Sequence, residues 1–200
     1  RRLAAMPASF EPLSRRLLDA FGLFPATGDG HAGEYFSYAW ETSAMKGYDF
    51  EGRKRDASGL REQLQKAASG ELSVEPYLSR TSGERAIQII TGMLHNRNQF
   101  EHALNLPNRG AIPGLPDWAV VETPGVISGA GINNLHVPAL PPAITSMLAQ
   151  QIAIQDRAVE AAIHGDRQAA LQALLLDPVV GSYENAVKML DELLGLHQGY

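Results

Sequence analysis

Residues 27–40 read TGDGHAGEYFSYAW, and Asp29, His31, Glu34 and Tyr35 fall within this one stretch, interleaved with Gly28, Gly30 and Gly33. Asp29 and Glu34 could bind sugar hydroxyls, or serve as acid and base where burial shifts them. Tyr35 could donate a hydrogen bond, or act as a general base where a nearby cation favours its phenolate. His31 stands between the two carboxylates. A plainer reading fits the same residues: a turn Asp often caps a helix, and Tyr35, Phe36, Tyr38 and Trp40 could be core. Residue types alone leave the two readings level.

Other chemistry is scarcer. The chain has no cysteine, which excludes disulfides, thiolate metal sites and a cysteine nucleophile within it. None of the six histidines stands three or four residues from another, so no local metal motif exists. His95 and His102 read as surface or helix-end histidines. The glycines of GDGHAG stand at GxGxxG spacing but read as a turn, and no phosphate loop, HExxH or GxSxG is present. The string SGAGINN, with Gly129 and Gly131, reads as a turn.

Composition narrows the classes further. Two hundred residues, 44% hydrophobic and 20% charged, suffice for one globular domain. A net charge of −5 without a basic stripe argues against nucleic acid as a partner. The cluster Arg53-Lys54-Arg55 is followed at once by Asp56 and belongs to a solvated helix. No apolar run reaches membrane-spanning length, and a cytoplasmic location is expected. The sequence begins without Met, close to a helix start. It reads as a chain entered partway: a cloned domain, a split-gene product or a truncated paralogue.

The elements that would position the site follow from periodicity. Leu13, Leu17, Leu18 and Phe21 mark a helix that Gly22 stops. GDGHAG reads as a turn, EYFSYAWETSAM as a helix, and DASGLREQLQKAASG as a short polar helix. SGERAIQIITGMLHN reads as an amphipathic helix with Ser82 as N-cap and Glu84 in its first turn. Pro and Gly then punctuate β-prone runs. AVVETPGVIS reads as a strand pair or one bent strand, and NNLHVPAL as another strand. Three helices close the chain. The first starts at Pro141-Pro142 and stops at Gly165, the second ends at Asp177-Pro178, and the third is capped by Ser182 and broken at Gly195. The fold class expected is α+β, a single domain over 1–200, with helices around a small irregular mixed or antiparallel sheet.

At larger scale the residues resemble a family. FEPLSRRLLDAFGLFPATGDGHAGEYFSYAWE is similar to the segment that follows the metal-binding half of glycoside hydrolase family four, the NAD- and manganese-dependent glycosidases. TSGERAIQIITGM resembles the family's Ser-Gly-Glu helix. NLPNRGAIPGLPDWAVVETPGVISGAGINNLHVPALPP resembles its long Asn-x-x-Asn-x-Gly-x-Ile-x-x-Leu-Pro, Val-Val-Glu-x-Pro, Gly-Ile and Leu-Pro pattern. VEAAIHGDRQAALQALLLDPVV and MLDELL match its last helices. The GDxHxxEY turn looks most like the α-galactosidase and α-galacturonidase branch.

The resemblance implies a lactate/malate-dehydrogenase-like C-terminal domain with its Rossmann half absent. It implies a glycosidase that departs from the two-carboxylate scheme. NAD oxidises the sugar at C3, a base removes the C2 proton, the glycosidic oxygen is eliminated, water adds, and the ketone is reduced again. A divalent metal, Mn2+, polarises the C2 and C3 oxygens. Tyr35 resembles the base, and Asp29 an acidic residue lining the sugar. His31 and Glu34 share the turn and are expected to touch the substrate. This chain carries neither the glycine-rich loop nor the metal-binding Cys of the family, so NAD and Mn2+ are not expected to bind it alone.

The partners implied are the missing N-terminal nucleotide-binding half, a small sugar and further copies in a dimer or tetramer. A non-catalytic sugar-binding or oligomerisation module is the alternative. The substrate domain of a 2-hydroxy-acid dehydrogenase is a third reading, but no arginine stands out to hold its carboxylate.

Overall fold

The computed structural model describes residues 6–7, 9–42, 50–79 and 83–197. Eight α-helices and three strands follow in the order α1 (Pro12–Phe21), α2 (Asp29–Ala32), α3 (Phe50–Ala68), α4 (Glu75–Leu78), α5 (Ala86–Leu94), β1 (Gln99–Pro107), β2 (Val120–Ser128), β3 (Gly131–Asn134), α6 (Pro142–His164), α7 (Arg167–Leu176) and α8 (Tyr183–Leu196) among the described residues. The strands form one antiparallel sheet in the order β1-β2-β3, so the α+β expectation holds.

The contacts divide the chain into two compact units. One comprises Arg1–Lys46, His102–Pro124 and Asn134–Tyr200; the other comprises Gly47–Glu101 and Gly125–Asn133.

Within the first unit, α1 buries Leu13 and Leu17 against Ala32 and Ala39, and Phe21 and Phe36 pack on this cluster. Gly22 takes φ 78° and donates to the Leu18 carbonyl at 2.8 Å, which ends α1 as its sequence predicts. A second cluster joins Ile112, Leu115 and Val121 to Val137, Leu140 and Ile152 of α6. The loop beneath it is held by Asn108, which is fully buried. Its amide nitrogen donates to the carbonyls of Ile112 and Leu115, and its oxygen accepts from the Ile112 N–H. The last three helices form where periodicity and caps place them. Pro142 opens α6, and Gly165 ends it at φ 64°. The Asp166 carboxylate caps α7 through the N–H groups of Gln168 and Ala169, and Ser182 caps α8 through Asn185. α8 runs through Gly195 to Leu196 rather than breaking there.

Within the second unit, Arg85 grips the buried carboxylate of Glu101 with a two-pronged contact, Nε to Oε2 at 2.5 Å and Nη2 to Oε1 at 2.7 Å. Gln99 donates to the same carboxylate and to the Gln88 carbonyl, tying β1 to α5.

Several expectations fail. In place of the helix over EYFSYAWETSAM, the described part holds two short 3-10 turns, Gly33–Tyr35 and Ala39–Glu41, with an extended Phe36 between them; Ser43, Ala44 and Met45 lie outside the described residues. GDGHAG contains one turn of α-helix. Glu84 precedes α5, whose N-cap is Arg85, so it does not sit in the first turn; Ser82 lies outside the described residues. Of the two readings of AVVETPGVIS the single strand holds: Val120–Ser128 form β2. NNLHVPAL contributes only its first two residues to β3, because beyond Asn134 the chain leaves the ladder with Leu135 and Val137 bonding Pro124 and Ala111. β1 carries no period-two signal: its buried positions, Glu101 and Leu104, are three apart.

Candidate functional site

The clustered residues occupy a short segment whose back is fixed and whose front is open. Helix α1 starts with Pro12, so its first N–H groups need outside acceptors. Asp29 supplies them. Its Oδ2 accepts from the Leu13 N–H at 2.8 Å, and its Oδ1 accepts from the Ser14 N–H at 2.8 Å and the Ser14 hydroxyl at 2.6 Å. In return the Asp29 N–H donates to Glu11, the residue that precedes α1. The two segments therefore cap each other. A side chain at position 28 would crowd this contact: a Cβ there would lie 3.1 Å from Glu11 Oε1.

Burial opposes ionisation of Asp29, but the Ser14 hydroxyl and the N–H groups of Leu13 and Ser14 outweigh it and hold the carboxyl below its usual range. It is a buried anion in a helix-capping role.

The front of the segment carries the other three candidates. His31 Nδ1 lies 3.6 Å from Glu34 Oε2, and both side chains are exposed. They form an ion pair whenever the imidazole is protonated. Tyr35 ends the 3-10 turn, is 45% exposed, and its hydroxyl has no hydrogen-bond partner among the described residues. The core reading of the aromatics holds only for half-buried Phe36; Trp40 is 70% exposed. Phe36 stacks obliquely on Tyr38, and burial pushes the Tyr38 phenol up, which makes its phenolate harder to form. His31, Glu34 and Tyr35 thus share one exposed segment, while Asp29 turns its carboxylate back to α1.

Glu11 and Asn108 are the positioning residues that sequence reasoning passed over. Glu11 stands before a proline at a helix start, where a capping role was open to it. Asn108 lies inside the family-like Asn-x-x-Asn pattern, which gave no hint of its burial.

No group of three or more His, Asp or Glu side chains suited to a metal exists among the described residues, and no helix there is long and apolar enough to cross a membrane.

Residues 3–180 match the family 4 glycosyl hydrolase C-terminal domain. The chain belongs to family 4 of the glycosyl hydrolases. It is 33% identical over 196 residues to the α-glucosidase of Erwinia rhapontici, with 98% of this chain and 40% of that protein covered. It is 28% identical to the α-galacturonidase of Thermoanaerobacterium saccharolyticum, covering 94% and 42%. Its fold is similar, at a TM-score of 0.69 and 24% identity, to a 6-phospho-α-glucosidase from gut microorganisms whose crystal structure holds NAD and Mn2+; 94% of this chain and 42% of that one are covered. The chain therefore spans about two-fifths of the length of the family 4 proteins it matches.

Proposed function

We propose that this domain is the substrate-site and oligomerisation half of an NAD- and Mn2+-dependent α-glycosidase of the α-galactosidase or α-galacturonidase kind. The observation that carries the reading is the Tyr35 segment: an exposed phenol with an unclaimed hydroxyl, on a turn fixed from behind by the Asp29 cap. A base must reach its proton and be held rigidly, and this arrangement meets both demands.

Tyr35 accepts the proton from C2 of the sugar, and the electron pair left behind expels the glycosidic oxygen. His31 and Glu34 hydrogen-bond the sugar hydroxyls beside it. Asp29 serves the sugar site by holding the turn. The redox step at C3 and the Lewis acid belong to NAD and Mn2+. This chain's described residues do not fit either group, since they offer no metal-ligand cluster, the sequence has no cysteine, and the glycine-rich segment at 28–33 is tied to helix α1 through Asp29. Both would be held by the remainder of a longer family 4 protein, and the domain alone would not hydrolyse glycosides.

The lack of a metal-ligand cluster among the described residues favours a second reading, a non-catalytic sugar-binding or oligomerisation module. One experiment separates the two. NAD with Mn2+ is titrated calorimetrically into the purified chain. The chain is then mixed with a family 4 nucleotide-binding half and an aryl α-galactoside, α-galacturonide or α-glucoside. Hydrolysis on mixing that Tyr35→Phe abolishes supports the glycosidase reading. Silence in both, with sugar binding by the chain alone, supports the module.

A further inference from the structure

One aromatic of the Tyr35 segment has no structural duty. Trp40 is 70% exposed, and its indole N–H has no hydrogen-bond partner among the described residues. The turn that carries it is nonetheless tightly held. Ala39, the residue before it, is fully buried in the α1 cluster. The Ala39 N–H donates to the Phe36 carbonyl at 3.0 Å. The Ala39 carbonyl accepts from the Thr42 N–H at 3.1 Å and from the Thr42 hydroxyl at 2.8 Å. Glu41, the residue after it, lies 3.7 Å from Arg16 of α1. This turn packs beside the turn of Tyr35. The phenol and the indole therefore stand on adjacent turns of one segment. A large aromatic surface held in place in water is ready for a ligand, because little ordering remains to be done on binding.

We propose that Trp40 is the platform for the leaving-group sugar, and so sets which glycosides the site accepts. The inference rests on the glycosidase reading above and adds a residue to that site. A pyranose carries axial C–H groups on its faces and hydroxyls on its rim. The face of an indole is negative and attracts such C–H groups, while the indole N–H is placed to donate to a hydroxyl. The position of Tyr35 decides which ring stacks. Tyr35 must meet C2 of the cleaved ring, and His31 and Glu34 take the hydroxyls around it. Side chains from adjacent turns lie side by side, so Trp40 cannot clasp that ring from the opposite face. C1, the neighbour of C2, bears the leaving group, and the ring beyond it is the next apolar face along the substrate. That ring takes no part in the proton transfer. Stacking on it is equal in the ground state and the transition state, so its loss appears in KM and not in kcat.

Fluorescence tests this without turnover. The chain has two tryptophans, Trp40 and Trp118, so Trp118→Phe leaves Trp40 as the sole indole reporter. This chain is titrated with an α-linked disaccharide of galactose on glucose, and separately with methyl α-galactoside. The expected result is a saturable blue shift with the disaccharide only, unchanged when Tyr35→Phe is added. In the mixed two-half enzyme, Trp40→Ala should raise KM for the disaccharide about tenfold, with KM for the methyl glycoside and both kcat values within about twofold. No shift with the disaccharide overturns the proposal. An equal shift with the methyl glycoside does so too, since it puts the indole on the cleaved ring. A blue shift on adding the nucleotide-binding half without sugar also overturns it, because Trp40 is then covered by protein. A Tyr35→Phe enzyme that keeps its full rate counts against the glycosidase reading instead, and the emission result still decides whether Trp40 holds the second sugar.

Discussion

The Ser14 hydroxyl donates to Asp29 Oδ1 at 2.6 Å inside a site from which water is excluded, and this contact joins helix α1 to the segment that carries Tyr35. The same carboxylate takes both N–H groups at the start of α1. Removing it strands buried donors as well as a cap. Asp29→Ala should cost about 1.5–5 kcal/mol, the sum of a lost N-cap and unsatisfied buried groups. Asp29→Asn keeps one acceptor oxygen and should cost less. Urea unfolding of the three proteins checks the order. Equal stability of all three would mean that the cap contributes nothing.

The cap also carries a pH signature. The folded-state pKa of Asp29 is depressed below the unfolded value. Its stabilisation is therefore fully present above the unfolded carboxylate value, near 3.9, and is lost as pH falls through the lower folded value. Stability should decline from about pH 4 downward, and Asp29→Asn should flatten that decline. Urea midpoints between pH 2 and about 6 measure the slope. A wild-type slope unchanged by the substitution would place the acid sensitivity in other carboxylates.

Tyr35 separates structure from chemistry. Its hydroxyl has no partner among the described residues and its ring is half exposed, so Tyr35→Phe should shift stability by less than about 0.5 kcal/mol. In the mixed two-half enzyme the same change should lower kcat by about 10²–10⁴-fold, the usual contribution of a general base. Full activity in Tyr35→Phe would remove the residue from the proton-transfer step. Lost stability would mean that the hydroxyl has a structural role instead.

His31 and Glu34 should behave differently from Tyr35. They are exposed and lie 3.6 Å apart, at the edge of the segment rather than in its support. Truncating either to Ala should raise KM several-fold and leave kcat within about twofold, the pattern of lost uniform binding. A fall in kcat at constant KM would give one of them a role in the transition state.

Much of this could be foreseen where local signals agree. Gly22, Pro142, Gly165 and Ser182 each punctuate a helix that forms as its periodicity requires. The failures share a cause: the deciding contact is distant in sequence. The run after Glu34 has helical composition, yet Ala39 and Phe36 are drawn into the α1 core and the chain folds as two tight turns. β1 lacks alternation because Arg85 fixes its buried Glu101 from another element. The candidate site divides in the same way. Its residues could be named from their types, but the role of Asp29 rests on Leu13 and Ser14, which lie 16 and 15 positions away. Residue types left capping and sugar binding level; the three hydrogen bonds give its carboxylate to the cap.

Asn108 offers a test of the second core that owes nothing to the glycosidase reading. Its side chain is buried and makes three hydrogen bonds to the backbone of Ile112 and Leu115, both of which pack with Val121 beneath α6. These bonds replace a strand or helix ladder in the loop between β1 and β2. Asn108→Ala strands two carbonyls and one N–H away from water and opens a small cavity. The loss should reach about 2–4 kcal/mol. Asn108→Asp keeps the acceptor for Ile112 but sets a carboxylate against two carbonyls, so it should be at least as damaging at neutral pH and should recover part of the loss when protonated in acid. Thermal melts at two pH values read this directly. An Asp variant that is more stable at neutral pH than in acid would show that the loop re-pairs around a charge, and that the three amide contacts do not hold it.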